Sequence, residues 1–148
     1  MSKTLTEMTA RDDVLRSMTR LKNGNMEDAV AEFAENFCFN DWGLGLEFTN
    51  KERLREFFQK ERELYPGSSF RTKKTLVIED HVIAEWLLEY TIKEPFFGNT
   101  LRDVPVSLHG VSVIRTSKGK IIEWSDYYDG LTARRTALTA CFTDWIEY

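Results

Sequence analysis

The chain has 148 residues, 42% hydrophobic and 13% aromatic, with 20 Lys and Arg against 24 Asp and Glu. That length suits one domain spanning residues 1–148 and excludes a two-domain dehydrogenase or a full TIM barrel. A formal charge of −4 argues against nucleic-acid binding, and no stretch approaches the roughly 18 apolar residues of a membrane span.

Two amphipathic helices open the chain. Leu5, Met8, Val14, Leu15, Met18 and Leu21 recur at three- and four-residue spacing, and the pattern stops near Gly24. Asn25 can cap a second helix, with Met26, Ala29, Val30, Phe33, Ala34 and Phe37 on one stripe. Residues 37–42 then alternate like a short strand. Thr49 and Glu52 form a capping box for a third helix, which buries Leu54, Phe57, Phe58, Leu64 and Tyr65 and ends before Pro66–Gly67.

From Phe70 to Asp129 the pattern is β. Residues 70–79 and 82–94 form a hairpin around Glu79–Asp80–His81. A loop with Pro95, Phe96, Phe97 and Gly98 follows, and then a strand near 104–116. Ser117–Lys118–Gly119 turns into a last strand over 120–129, and 131–148 reads as a short helix or ordered tail. Helices first and long antiparallel strands afterwards predict an α+β fold, with the helices on one face of a curved sheet.

Strand side chains alternate between faces, so the surroundings of each acid can be read from the sequence. In the last strand Ile122, Trp124, Asp126 and Tyr128 share one face, while Ile121, Glu123, Ser125, Tyr127 and Asp129 share the other. Phe37, Phe39 and Asp41 share a face in the first strand. Asp126 and Asp41 are thus carboxylates on aromatic faces, where burial disfavours their charged forms and suits acid–base work. In the long strand Val82, Ala84, Trp86, Leu88, Tyr90 and Ile92 make an apolar face, with Glu85, Glu89 and Lys93 opposite. Val104, Val106, Leu108 and Gly110 share a face in the next, with Ser107 and His109 opposite. A bulge at Gly110 would reverse that placement of His109. The predicted cavity is lined by Phe39, Trp86, Leu88, Tyr90, Leu108, Trp124 and Tyr128, with Trp42 as a further wall residue and Phe97 at its lip.

The segment GVSVIRTSKGKIIEWSDYYD (110–129) resembles the closing hairpin of SnoaL-like polyketide cyclases, within the nuclear-transport-factor-2-like (NTF2-like) superfamily. The resemblance extends through FAENFCFND (33–41), KERLREFFQKERELYP (51–66), EDHVIAEWLLEY (79–90) and the PFFG loop (95–98). It implies a cone-shaped α+β barrel, a curved antiparallel sheet wrapped around N-terminal helices, with a hydrophobic pocket and a homodimeric assembly. In these cyclases and in limonene-epoxide hydrolase an acid on the last strand acts in acid–base chemistry, and Asp126 matches it. Asp41 matches the general-base aspartate of the similar ketosteroid isomerases. Limonene-type epoxide hydrolysis is not expected, because Trp86 and Leu88 stand where that enzyme needs an Arg and an Asp, and Phe39 where it needs a Tyr.

These residues predict a cofactor-independent acid–base enzyme acting on a small, largely apolar carbonyl compound, with Asp126 and Asp41 catalytic. Cyclisation, isomerisation and dehydration all begin with such a proton transfer. The alternatives are a carrier of a small hydrophobic ligand and a protein-interaction module working through the outer sheet face. Cys38 and Cys141 have no metal-ligand spacing, and no Gly-rich phosphate loop occurs, so neither metal nor cofactor is expected. Residues 1–30 lack the apolar core of a secretory signal, which predicts a cytoplasmic protein.

Overall fold

The computed structural model describes residues 12–18, 20, 25–96 and 100–132. Phe97 of the expected lip, Leu5, Met8 and Leu21 of the first helix, and the tail beyond residue 132 lie outside the described residues.

The helical segment 12–18 (α1) contributes Val14 and Met18 to the core. The second helix, α2 (Met26–Ala31), is capped as expected, the Asn25 side chain accepting from the backbone N–H of Asp28. It ends at Ala31, earlier than the apolar stripe suggested, and β1 (Phe33–Asp41) begins at once. The three- and four-residue steps from Val30 to Phe33 and Phe37 fit a helix. The even spacing of Phe33, Phe37, Phe39 and Asp41 also fits one face of a strand, and strand pairing prevails. A register shift between Phe33 and Cys38 accommodates the change.

A short β2 (Leu46–Phe48) follows, then α3 (Lys51–Leu64). The cap of α3 is Asn50, whose side chain accepts from the N–H of Arg53, and not Thr49 as the box pattern predicted. Because the helix starts one residue later, Glu52 falls one place short of the box position and accepts from Arg55 at 2.8 Å instead. Leu54 and Phe58 are buried, and Phe57 packs against the core, but Leu64, expected inside, is exposed at the helix end.

The remaining strands are β3 (Ser69–Ile78), β4 (His81–Phe96), β5 (Thr100–Ser117) and β6 (Lys120–Tyr128). Pro95 and Phe96 therefore continue β4 and do not form a loop. The β5–β6 turn is the expected one, with positive φ at Lys118 (51°) and Gly119 (73°), the conformation that matches strand twist in a two-residue hairpin.

All six strands form one sheet in the order β2-β1-β6-β5-β4-β3, open at β2 and β3. Every neighbouring pair is antiparallel except β1–β6, which is parallel, so the sheet is mixed and not wholly antiparallel. The core is an aromatic cluster of Phe33, Phe37, Phe39, Phe58 and Trp124 under α1, α2 and α3. Phe39 meets Phe58 edge-on at 5.3 Å and Phe33 stacks on Trp124 at 5.9 Å, arrangements suited to the ring quadrupoles.

The alternation assumed for β6 breaks at its start. A register shift between Arg115 and Thr116 makes Ile122 the extra residue. Ile121, expected outside, consequently enters the core (1% exposed), while Ile122 is only half-buried. From Glu123 onward the expected faces hold.

Candidate active site

Between the sheet and the helices lies a cavity of about 190 Å³. Its sheet wall includes Phe39 of β1, Trp86 and Leu88 of β4, Leu108 of β5, and Trp124 and Tyr128 of β6. Met18, Met26, Phe57 and Phe58 close it from the helix side. Each of the six sheet residues was expected from strand parity. Tyr90 is not in the lining; its ring packs on Tyr65, the C-cap of α3, with centroids 4.5 Å apart. There the end of the helix already fills the face that Tyr90 shares with Leu88. Trp42 is not a wall residue either: it follows β1 into the turn and is 53% exposed.

Strand register assembles the polar part of the cavity. Asp126 lies opposite Ser112 across the β5–β6 pair and beside Asp41 across the parallel β1–β6 pair. Neighbouring strands run about 4.8 Å apart, so these three side chains form one row across the same face. On the opposite face, Asn40 Nδ2 donates to Ser125 Oγ at 3.1 Å, and both residues are buried. That bond joins β1 to β6 in the register that sets Asp41 beside Asp126.

The donors around Asp126 have a definite order. Trp86 Nε1–H donates to Ser112 Oγ at 2.9 Å, so the single hydroxyl proton of Ser112 is free to go to Asp126 Oδ1, at 2.5 Å. Trp124 Nε1–H donates to the same Oδ1 at 2.6 Å. Oδ1 therefore already accepts two hydrogen bonds, whereas Oδ2 accepts none among the described residues. A proton on this carboxyl belongs on Oδ2. Burial pushes the Asp126 carboxyl up to about 7, against the opposing effect of the Ser112 and Trp124 donors, with the Asp41 charge adding to the rise.

Trp86 holds its place because of a glycine. Gly110 faces Trp86 across the β4–β5 pair, and a Cβ there would stand 2.2 Å from an indole ring atom. Gly43 has the same relation to Tyr128, whose ring atoms lie 2.2 Å from where a Cβ would be. Tyr128 in turn donates its hydroxyl proton to Asp41, with Oδ1 at 2.7 Å and Oδ2 at 3.0 Å. The N–H of Leu44 donates to Asp41 Oδ1 at 2.8 Å. Asp41 is 3% exposed, and its carboxylate is committed to these two donors. Burial first, and then the Asp41 hydrogen bond and charge, raise the Tyr128 phenol above its ordinary range, which keeps it a neutral donor.

Four polar residues of the cavity, Glu61, Arg62, Ser68 and Ser112, were not singled out from sequence. Ser112 continues the even-numbered face of β5 two places beyond Gly110, so parity would have found it. Glu61 lines the cavity from α3, where it falls four residues after Phe57 and three after Phe58 on the apolar stripe. An acid within a helix's apolar stripe is the same anomaly as an acid on a strand's aromatic face. Burial, then the charges of Asp41 and Asp126, push the Glu61 carboxyl up to about 7.

His109 lies on the outer face, as parity predicted. No register shift occurs at Gly110, and the exposed imidazole meets Lys73 Nζ at 3.3 Å. No group of three or more His, Cys, Asp or Glu suited to a metal ion occurs among the described residues, and no described helix is long and apolar enough to cross a membrane.

Solved structures with the same fold include a candidate SnoaL-like polyketide cyclase from Jannaschia sp. CCS1, 18% identical, with a TM-score of 0.75 over 92% of this chain and 96% of that one. IdmH, a candidate polyketide cyclase from Streptomyces antibioticus, is 15% identical, with a TM-score of 0.74 over 86% of this chain and 97% of its own. An LEH-like epoxide hydrolase of M. tuberculosis is also 15% identical, with a TM-score of 0.70 over 96% of this chain and 98% of that one. At such identities the likeness concerns the fold, an NTF2-like α+β architecture. Comparison with curated proteins returns no match. The family model for SnoaL-like polyketide cyclases matches residues 12–136, and the chain belongs to that family.

Proposed function

We propose that the protein is a cofactor-independent acid–base enzyme that moves a proton at a carbon beside the carbonyl of a small, largely apolar compound. The observation that carries this reading is the state of Asp126: a carboxyl in an aromatic wall, raised to about 7, with Oδ1 occupied by two donors and Oδ2 left over. A base whose pKa lies near the working pH combines the right protonation state with useful basicity. Asp126 Oδ2 takes the proton from carbon; its delivery to another carbon gives isomerisation, to the oxygen of a carbonyl attacked by the enolate carbon gives ring closure, and to a departing hydroxyl gives dehydration.

Tyr128 gives its single hydroxyl proton to Asp41, so it holds that carboxylate in place and has no proton left to donate to a ligand. The cavity volume, about 190 Å³, favours a small compound, given that a cavity of roughly 150 Å³ takes benzene. A carrier of apolar ligands fits the same walls but gains nothing from a desolvated acid raised to about 7.

Deuterium exchange at the α-carbon of a bicyclic ketone such as 2-tetralone reads this step without knowledge of the physiological substrate. Asp126→Asn is expected to keep the fold and the binding of the ketone and to lose about 10²-fold or more in exchange rate. Unchanged exchange in that variant contradicts the assignment.

A further inference from the structure

We propose that Glu61 is the second proton-transfer group of the cavity, acting from the helix wall while Asp126 acts from the sheet, and that it protonates the oxygen of an enolisable carbonyl compound. The proposal deepens the reading of Asp126 as base and rests on it. It gives Glu61 the part that sequence reasoning gave to Asp41.

The hydrogen bonds separate the two candidates. Asp41 accepts from Tyr128 and Leu44, both at Oδ1, and the Tyr128 hydroxyl also lies 3.0 Å from Oδ2, so this carboxylate is held by protein donors. The Glu61 carboxyl has no hydrogen bond and no ion pair among the described residues, yet it is half-buried and lines the same cavity. Phe57 and Phe58 flank it one turn earlier on α3, so its freedom is directed into a largely apolar space.

The charged and titratable groups around Glu61 come from every wall. Asp41 on β1 and Asp126 on β6 act on it directly, and it acts in turn on Tyr128 of β6 and Tyr90 of β4, the latter packed on Tyr65. Arg62, its neighbour on α3, also lines the cavity. The charge of Asp126 disfavours ionisation of Glu61, so the state with Asp126 ionised and Glu61 protonated is favoured over the doubly ionised one.

The step balances in that singly protonated state. Asp126 Oδ2 takes the α-proton, the C–H electron pair becomes the enol double bond, and the carbonyl π pair takes the proton held by Glu61. Asp126 is then protonated and Glu61 ionised. Return of a proton from Asp126 to carbon, and of the enol O–H proton to Glu61, restores both groups with no external acid or base.

The test is the pH dependence of 2-tetralone α-deuteration by wild type, Asp126→Asn and Glu61→Gln, each first verified as folded by circular dichroism. The wild-type profile is expected to be bell-shaped. Glu61→Gln is expected to lose about 10²-fold at the optimum, and its alkaline limb should vanish, because Gln can donate a hydrogen bond but cannot transfer a proton. If Asp126→Asn is inactive while Glu61→Gln keeps its rate and both limbs, the Glu61 role fails and the base assignment stands. If Asp126→Asn keeps the wild-type rate, the base assignment fails and the Glu61 role with it.

A second measurement covers a variant that does not fold and a ketone that the wild type does not exchange. In carboxyl-labelled wild-type protein, ¹³C resonances of Glu61 and Asp126 are expected to titrate together in two steps around neutrality. Titration of Glu61 as an ordinary surface carboxylate overturns the proposal.

Discussion

Burial raises the Asp126 carboxyl, and three neighbours temper that rise through hydrogen bonds. Ser112 and Trp124 donate to Oδ1, and Trp86 donates to Ser112 and so directs the hydroxyl proton toward the carboxylate. Replacement of Ser112 by Ala removes one donor to the ionised form, and the acid limb of the rate profile should move up by about half a unit to one unit, as for the loss of a hydrogen bond of about 1 kcal/mol. An unmoved limb would show that the Ser112 bond does not bear on the titrating group. The same raised carboxyls affect stability. Asp126 and Glu61 keep their protons in the fold up to about pH 7, whereas unfolded they ionise near about pH 4. Across that window the folded chain binds more protons, so their contribution to stability is lost as pH rises through the folded values. Asp126→Asn should therefore be more stable than wild type at about pH 8, by on the order of 1 kcal/mol or about 2–4 °C in Tm, and the gain should vanish near about pH 4. Thermal denaturation at the two pH values checks this. Asp126 and Asp41 were legible in the sequence because an acid among alternating aromatics stands out. Glu61 was as legible in principle, but a charged residue in a helix otherwise rich in charge reads as part of the solvated face.

The strands bring these residues together through register, and the register is the part that sequence conceals. Parity identified the inward faces of β1, β4 and β5, and of β6 beyond its bulge, because a strand has only two faces and the apolar one must be covered. It could not show that β1 pairs with β6 in parallel, which is what sets Asp41 beside Asp126. Nor could it locate the bulge at Ile122, where Ile121 turns inward against the pattern. The early end of α2 has a similar origin, since the spacing of Phe33 and Phe37 satisfies a helix and a strand equally well and only the pairing with β6 decides. Gly110 ties the β4–β5 pair to the site, for it leaves room for the Trp86 indole. Gly110→Ala must push that ring aside, with an expected cost of about 1–3 kcal/mol in unfolding free energy and loss of the Trp86–Ser112 hydrogen bond. Wild-type stability together with wild-type exchange kinetics in this variant would mean that the indole position is not important to the site.

At the scale of the molecule, the described helices cover one face of the open sheet and enclose the cavity, and the other face carries both buried residues, such as Leu87 (5% exposed), and exposed ones. On that outer face Ile83 pairs with Val113 and Val111 with Tyr127, whose ring is 50% exposed. Glu85, Glu89 and His109 surround them, all exposed. We propose that this face joins two copies, with an apolar centre and a polar rim as interfaces have. Light scattering should give twice the mass of one chain, and Val113→Glu should give the mass of one; a wild-type monomer at micromolar concentration contradicts the proposal. The cavity lies on the inner side, so the proposed chemistry at Asp126 draws on residues of one chain. The most direct test is the rate of 2-tetralone α-deuteration by wild type and Asp126→Asn measured across the neutral pH range. The expected result is a wild-type rate that falls on the acid side with an apparent pKa near 7, the value to which burial raises Asp126, and a variant rate lower by about 10²-fold or more at every pH. A variant that exchanges the ketone at the wild-type rate, with the same acid limb, would contradict it.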